Sequence, residues 1–233
     1  MSIDGYLDSA VPRRLAMSNA ADLARVDRLR AVSDAILVGA STVRRDNPRL
    51  LVRDPDLRDR RRDAGLPDSP AKVTVTARGE LPADAAFFTT GAGPRIVYCP
   101  RGRAARLGYR LGDAATVVGL GERVTMAGVL DDLGGRRGVH RLMVEGGGSV
   151  LTQFLAGDLA DELQLVIAPF FVGEARAPRV VGPAVFPWTA ARRASLHETR
   201  RIGDVVLLRY ALSDRFDAAD GSRALAPSHR SAR

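Results

Sequence analysis

Short apolar runs separated by stretches of helical spacing constrain this chain more than any other feature. "DAILVG" (34–39), "AKVTVT" (71–76), "RIVYC" (95–99), "ATVVG" (115–119) and "RLMVE" (141–145) each read as a short buried strand. Ahead of the first of these, residues 19–33 carry Leu23, Val26, Leu29 and Val32 at helical spacing, with Asn19 and Asp22 placed as a capping pair. Further helices are expected near 125–133 and 149–157. Two more strands, "ELQLVIA" (162–168) and "VVLLRYAL" (205–212), follow with little helix between them. Strands alternating with helices and then strands alone predict a three-layer α/β fold. Its sheet should be mostly parallel, with an antiparallel C-terminal end.

A chain of 233 residues holds one sizeable domain, here expected over 1–212. The stretch 213–233 lacks apolar periodicity and is expected to be a disordered tail. Residues 53–70, with Pro55, Pro67 and Pro70 among mixed charges, read as a long excursion between elements. At the start, "SIDG" (2–5) looks like the end of a strand with almost nothing before it, so a truncated first strand or a late start is expected.

No apolar run is long enough for a membrane helix, and the N-terminus does not read as a signal peptide. The single Cys99 excludes a disulfide framework and fits a reducing, cytoplasmic setting. It also excludes a zinc-deaminase site, and the three histidines, His140, His197 and His229, have no ligand spacing, so no metal is expected. The net charge of +8 is carried almost wholly by arginine, Lys72 being the single lysine. Those arginines alternate with aspartates, and stacking aromatics are scarce, which argues against nucleic acid.

The stretch "LMVEGGGSVLTQFL" (142–155) carries the chemistry. A strand ends at Glu145, three glycines follow, and an amphipathic helix begins. Glycines allow close backbone approach to a ligand, and a helix start offers unpaired N–H groups suited to phosphate. A carboxylate beside such a loop would face a different ligand, one with donors to offer. The plainer alternative is a tight strand–turn–helix corner with Glu145 in water.

Five motifs in order carry a family resemblance: S-x-D-G at 2–5, R-x-x-x-D-A-I-L-V-G from Arg30, T-V-x-x-D-N-P-x-L-x-V-R from Thr42 to Arg53, V-E-G-G at 144–147, and D-E-L followed by I-A-P. Through them the chain resembles the C-terminal reductase domain of the bifunctional riboflavin-biosynthesis deaminase/reductase, in a stand-alone form. That resemblance implies a dihydrofolate-reductase-like fold and a 5-amino-6-(5-phosphoribosylamino)uracil reductase-like activity. A ribosylaminopyrimidine 5′-phosphate would be reduced by NADPH to its ribityl form in a cytoplasmic homodimer.

Carried over by position, Thr42 and Asp46 match cofactor contacts, as does the loop and helix start running through Gly146, Gly147, Gly148, Ser149, Val150 and Leu151 to Gln153. Arg30, Leu50, Arg53 and Glu145 match substrate contacts, and Asp4 and Glu145 are the catalytic candidates. Plainer roles exist for several of them. Arg30 and Arg53 have a second reading as surface arginines, Thr42 as a helix cap, and Asp46 and Asp4 as turn formers. Departures from the family pattern near 13–22 and at Thr76–Ala77 lie at the site's edges. They leave two other readings open: a reductase of a pterin-like or other heterocycle, and a non-catalytic nucleotide-binding protein.

Overall fold

The computed structural model describes residues 1–11 and 15–216; most of the expected tail, from 217 on, lies outside the described residues. In chain order the elements are α1 (Ala20–Ala31), β1 (Ala35–Gly39), α2 (Ala40–Asp46), α3 (Pro55–Asp63), β2 (Ala71–Val75), α4 (Ala86–Thr89), β3 (Arg95–Cys99), α5 (Arg101–Leu111), β4 (Thr116–Gly119), α6 (Met126–Arg137), β5 (Leu142–Gly146), α7 (Gly148–Ala156), β6 (Glu162–Ile167), β7 (Ser195–Ile202) and β8 (Val205–Ala211). Among the described residues they group into two compact units, one spanning Val26–Gly147 and the other Met1–Arg25 together with residues 148–216.

The first unit holds a five-stranded parallel sheet in the order β4-β3-β2-β1-β5. All five of its strands were readable as apolar runs. β1 is buried at every position, as a strand covered on both faces must be, which is the three-layer arrangement. Its core gathers Ile36 and Val38 with Phe87, Phe88, Val97 and Leu107. The strand order matters for function. From β1 the chain steps outward through β2 and β3 to β4, then returns across the sheet to place β5 on the other side of β1. The direction of winding therefore reverses between β1 and β5.

The second unit holds a three-stranded antiparallel sheet, β6-β8-β7, which is the expected antiparallel C-terminal end. β7 and β8 form a hairpin in which Ile202 pairs with Val205. β7 lacked an apolar signature because it is an edge strand with mostly exposed side chains. The first residues, read as a strand end, make a single parallel bridge from Ser2 to Ala168, and Ile3 N donates to Phe170 O at 2.9 Å.

α1 forms where its spacing placed it, and Asn19 Oδ1 caps it by accepting from Asp22 N at 3.0 Å. Its burial differs from the apolar stripe, however. Asp22, Arg25 and Asp27 are buried while Leu23 is 41% exposed. Buried polar groups persist only when paired. Arg25 Nε donates to Asp22 Oδ1 at 2.8 Å, and Asp27 accepts backbone N–H groups described below.

The 53–70 excursion contains a helix, α3. Asp54 caps it by accepting from Asp56 N at 2.9 Å, and Pro55 occupies its first turn, where a missing N–H costs nothing. Buried Arg61 ties α3 to the end of α1. Its Nη1 donates to Ala31 O and Ser33 O at 2.7 and 3.0 Å, and its Nε to Pro67 O at 2.7 Å. A cation on those carbonyls satisfies the end of α1.

Candidate active site

Open α/β sheets bind ligands beyond the carboxyl ends of their strands, at the point where the winding reverses. Here that point lies between β1 and β5, whose ends carry the motifs singled out in the sequence. β1 runs into α2, which carries Thr42 and, one turn on, Asp46 on the same face. Thr42 Oγ1 lies beside Gly147: a Cβ on Gly147 would stand 3.1 Å from it. Gly147 also has φ +83°, a conformation open chiefly to glycine. Among the described residues, neither the Thr42 hydroxyl nor the Asp46 carboxylate has a hydrogen-bond partner.

β5 approaches this point through a bulge. Leu37 pairs with Val144, but the next residue, Val38, pairs with Gly146, so Glu145 is left out of the ladder. A bulge re-aims the side chain of its extra residue. Glu145 meets Arg30 in a two-pronged ion pair, with Nε to Oε1 at 2.5 Å and Nη2 to Oε2 at 2.6 Å. Both side chains are 15% exposed, so the carboxylate does not simply end a strand in water. Burial opposes the Arg30 charge, but the hydrogen bond and charge of Glu145, with the charge of Asp27, outweigh it and hold the guanidinium above its ordinary pKa. Each carboxylate oxygen keeps acceptor capacity for a further donor.

The segment after α2 lines the same place. Asn47 and Leu50 both adopt positive φ, 43° and 48°, which is uncommon for residues other than glycine and costs about 1–3 kcal/mol each. Leu50 is buried in the core as a whole residue, so its part is to set the course of the segment that leads to Leu51 and Arg53. Arg30 Nη1 donates to Leu51 O at 3.0 Å, and the Arg53 backbone N–H donates to Asp27. Arg30, Glu145, Leu50 and Arg53, chosen from the sequence as substrate contacts, are thus linked by α1. The sequence reading missed Asp27. Its signal was an acid three residues before Arg30, on one helical face.

In the other unit, Gly148 opens α7 at a position where a Cβ would come within 2.6 Å of Arg179 O, so no larger residue fits. Thr152 Oγ1 donates to Gly148 O at 2.6 Å and accepts from Gly182 N at 2.8 Å. Val150 packs inward, Ser149 is exposed and Leu151 is partly exposed, leaving the helix start as backbone N–H groups. Asp4 accepts from Ser2 Oγ at 2.6 Å, Val172 N at 3.1 Å and Gly173 N at 2.8 Å. The Ser2 bond and then those amides bring its pKa down to about 2. Its native-state bonds therefore stabilise the fold above its ordinary carboxylate pKa, and that contribution is lost as pH falls through about 2. Asp4→Asn is expected to lower Tm at neutral pH, with the gap to wild type closing on acidification. A gap that persists unchanged at the acid end counts against this assignment.

A family model, the RibD C-terminal domain, matches residues 1–208. The chain belongs to this family. Two archaeal relatives carry the name 2,5-diamino-6-ribosylamino-4(3H)-pyrimidinone 5′-phosphate reductase. The one from Archaeoglobus fulgidus is 34% identical over 204 residues, covering 87% of this chain and 90% of its own. The one from Methanothermobacter thermautotrophicus is 33% identical over 217 residues, covering 91% and 94%. Among solved structures, a pyrimidine reductase-like protein from Corynebacterium diphtheriae superposes with TM-score 0.73 at 22% identity, covering 90% of this chain and 88% of that one. Acinetobacter baumannii RibD superposes with TM-score 0.70 at 24% identity over 90% of this chain, which spans 55% of that longer protein. These likenesses show the fold, the dihydrofolate-reductase-like α/β fold of RibD reductase domains. No helix among the described residues is long and apolar enough to cross a membrane.

Proposed function

We propose that this RibD C-terminal domain reduces a ribosylaminopyrimidine 5′-phosphate with NADPH, turning the ribosyl group into ribityl. The observation that carries this is the Arg30–Glu145 pair, which the β5 bulge sets beside Gly147 at the point where the sheet's winding reverses. The residues suit both ligands. Gly147, lacking a Cβ next to Thr42, leaves a cradle for a cofactor, with Asp46 one turn further along α2. Gly146 belongs to the same loop, and in the other unit the start of α7, at Gly148, Ser149, Val150 and Leu151, has amides suited to phosphate.

Bound NADPH would supply a hydride to C1′ of the opened, imine-like sugar. Arg30 fixes the orientation of Glu145, and Glu145 accepts from an amino or hydroxyl donor of the substrate. Arg30 spends most of its donors on Glu145 and Leu51, so Arg53 is the arginine assigned to the substrate phosphate. Leu50, matched to a substrate contact by the resemblance, anchors in the core the segment that carries Arg53. Asp4, already tied to the 172–173 turn, holds its segment in place and transfers no proton in this reading.

The relatives' names favour the 2,5-diaminopyrimidinone over its deaminated form as substrate. Homodimer formation and a cytoplasmic location belong to the same reading; the first rests on the family resemblance and the second on that and the single Cys99. The test is turnover of both pyrimidines and of a pterin with NADPH and with NADH, followed at the reduced-nicotinamide band. Oxidation of NADPH with the diaminopyrimidinone alone or fastest is expected. Turnover only with the pterin moves the substrate, and NADPH binding without any turnover leaves a nucleotide-binding protein.

A further inference from the structure

Asp27 is 3% exposed, and nothing in the reductase reading accounts for a buried carboxylate at that place on α1. Its oxygens accept from Arg53 N at 3.0 and 2.9 Å, and Oδ2 also accepts from Asp54 N at 2.8 Å. The Arg53 guanidinium turns back toward the same group, its Nε 3.5 Å from Oδ1, while its side chain remains 55% exposed. One turn along α1, Arg30 holds Leu51 O at 3.0 Å and grips Glu145. The chain from 51 to 54 is therefore stitched to one face of α1 at two points, by an acid and a base three residues apart.

Backbone N–H groups alone would be served by any neutral oxygen, such as that of an asparagine. Burying a full negative charge is costly unless a positive charge nearby repays it. The cations beside Asp27 are Arg53, at 3.5 Å, and Arg30, whose charge it also supports. Arg30 already has Glu145 as its counter-ion, so the charge of Asp27 is matched to Arg53.

We propose that Asp27 is a positioning residue, which fixes the backbone of Arg53 and aims its guanidinium at the phosphate of the substrate. The identity of that phosphorylated ligand rests on the reductase reading; the coupling between Asp27 and Arg53 does not. The arrangement explains what the 53–70 excursion does at its start. It delivers one arginine to the site, with α3 behind it anchored to α1 through Arg61.

The experiment is a double-mutant cycle on Asp27→Asn and Arg53→Ala, read as KM and kcat for the phosphorylated pyrimidine and as calorimetric affinity for ribose 5-phosphate. Asp27→Asn is expected to raise KM and weaken ribose 5-phosphate binding by about tenfold or more, with kcat changed by no more than about twofold. In the Arg53→Ala background the same change should add less than about twofold, because the group it aims is gone. Asp27→Glu, which keeps the charge but displaces it, should fold and fall between wild type and Asp27→Asn. Wild-type KM in both Asp27 variants, or full additivity in the cycle, overturns the inference. The two readings fail separately. No turnover of any pyrimidine, with ribose 5-phosphate binding that depends on Arg53 and Asp27, removes the reductase reading and keeps this one. Normal turnover with unaltered KM in the Asp27 variants does the reverse.

Discussion

Glu145→Gln is expected to bind NADPH as wild type does while its kcat/KM for the phosphorylated pyrimidine falls by roughly ten- to a hundredfold or more. The substitution keeps the shape of the side chain but removes its charge and turns one acceptor into a donor. A hydrogen bond to a charged group contributes about 1.5–3 kcal/mol, which sets that range. The ion pair adds a second consequence. With Glu145 neutral, Arg30 sits partly buried without its counter-ion, so stability should fall by about 1–3 kcal/mol, less than for a fully buried pair because both side chains retain some water. The two effects separate in Arg30→Leu/Glu145→Gln, where no charge is stranded. Stability should recover there and turnover should not. Wild-type turnover in Glu145→Gln, or an equal loss of NADPH affinity, would place Glu145 on another ligand.

Gly147→Val should weaken NADPH binding itself, the function that Glu145→Gln spares. A β-branched residue at φ +83° is strained wherever it stands, and here its Cβ would also press on Thr42 Oγ1 from 3.1 Å. The strain costs about 1–3 kcal/mol, and filling the cradle removes the close backbone approach, so affinity is expected to fall by about a hundredfold. Gly65 supplies the control. It has φ +74° with nothing within 4 Å of its would-be Cβ, and it lies just past α3. Gly65→Val should cost comparable stability and leave NADPH affinity alone. Equal affinities for the two variants would show that backbone strain, rather than the cofactor, explains the glycine at 147.

The parallel strands were legible because they are buried on both faces, so each reads as an unbroken apolar run. α7 was legible because a glycine loop and an amphipathic pattern share one boundary. α3 was hidden by composition. Its charged residues show no apolar stripe, and only the Asp54–Pro55 pair marked its start. β7 was hidden by exposure, since a strand on a sheet edge needs no hydrophobic alternation to pair.

The sequence by itself determined the fold class, the family, and the residue types at the site. Glu145, Arg30, Thr42, Leu50, Arg53 and the glycines were all named from motifs that local backbone chemistry makes recognisable. What only the tertiary structure decided is how those residues are combined. Arg30 and Glu145 are 115 positions apart, and no local pattern predicts that they pair. The pairing follows from a slip in the β1–β5 register, which depends on how two strands fit together, not on either strand's composition. The burial of Asp27 in place of Leu23 has the same origin. A helix shows its periodicity to any reader of the sequence, but which face is buried depends on the partners that meet it, and the Arg53 and Asp54 amides reach α1 only once the chain has folded.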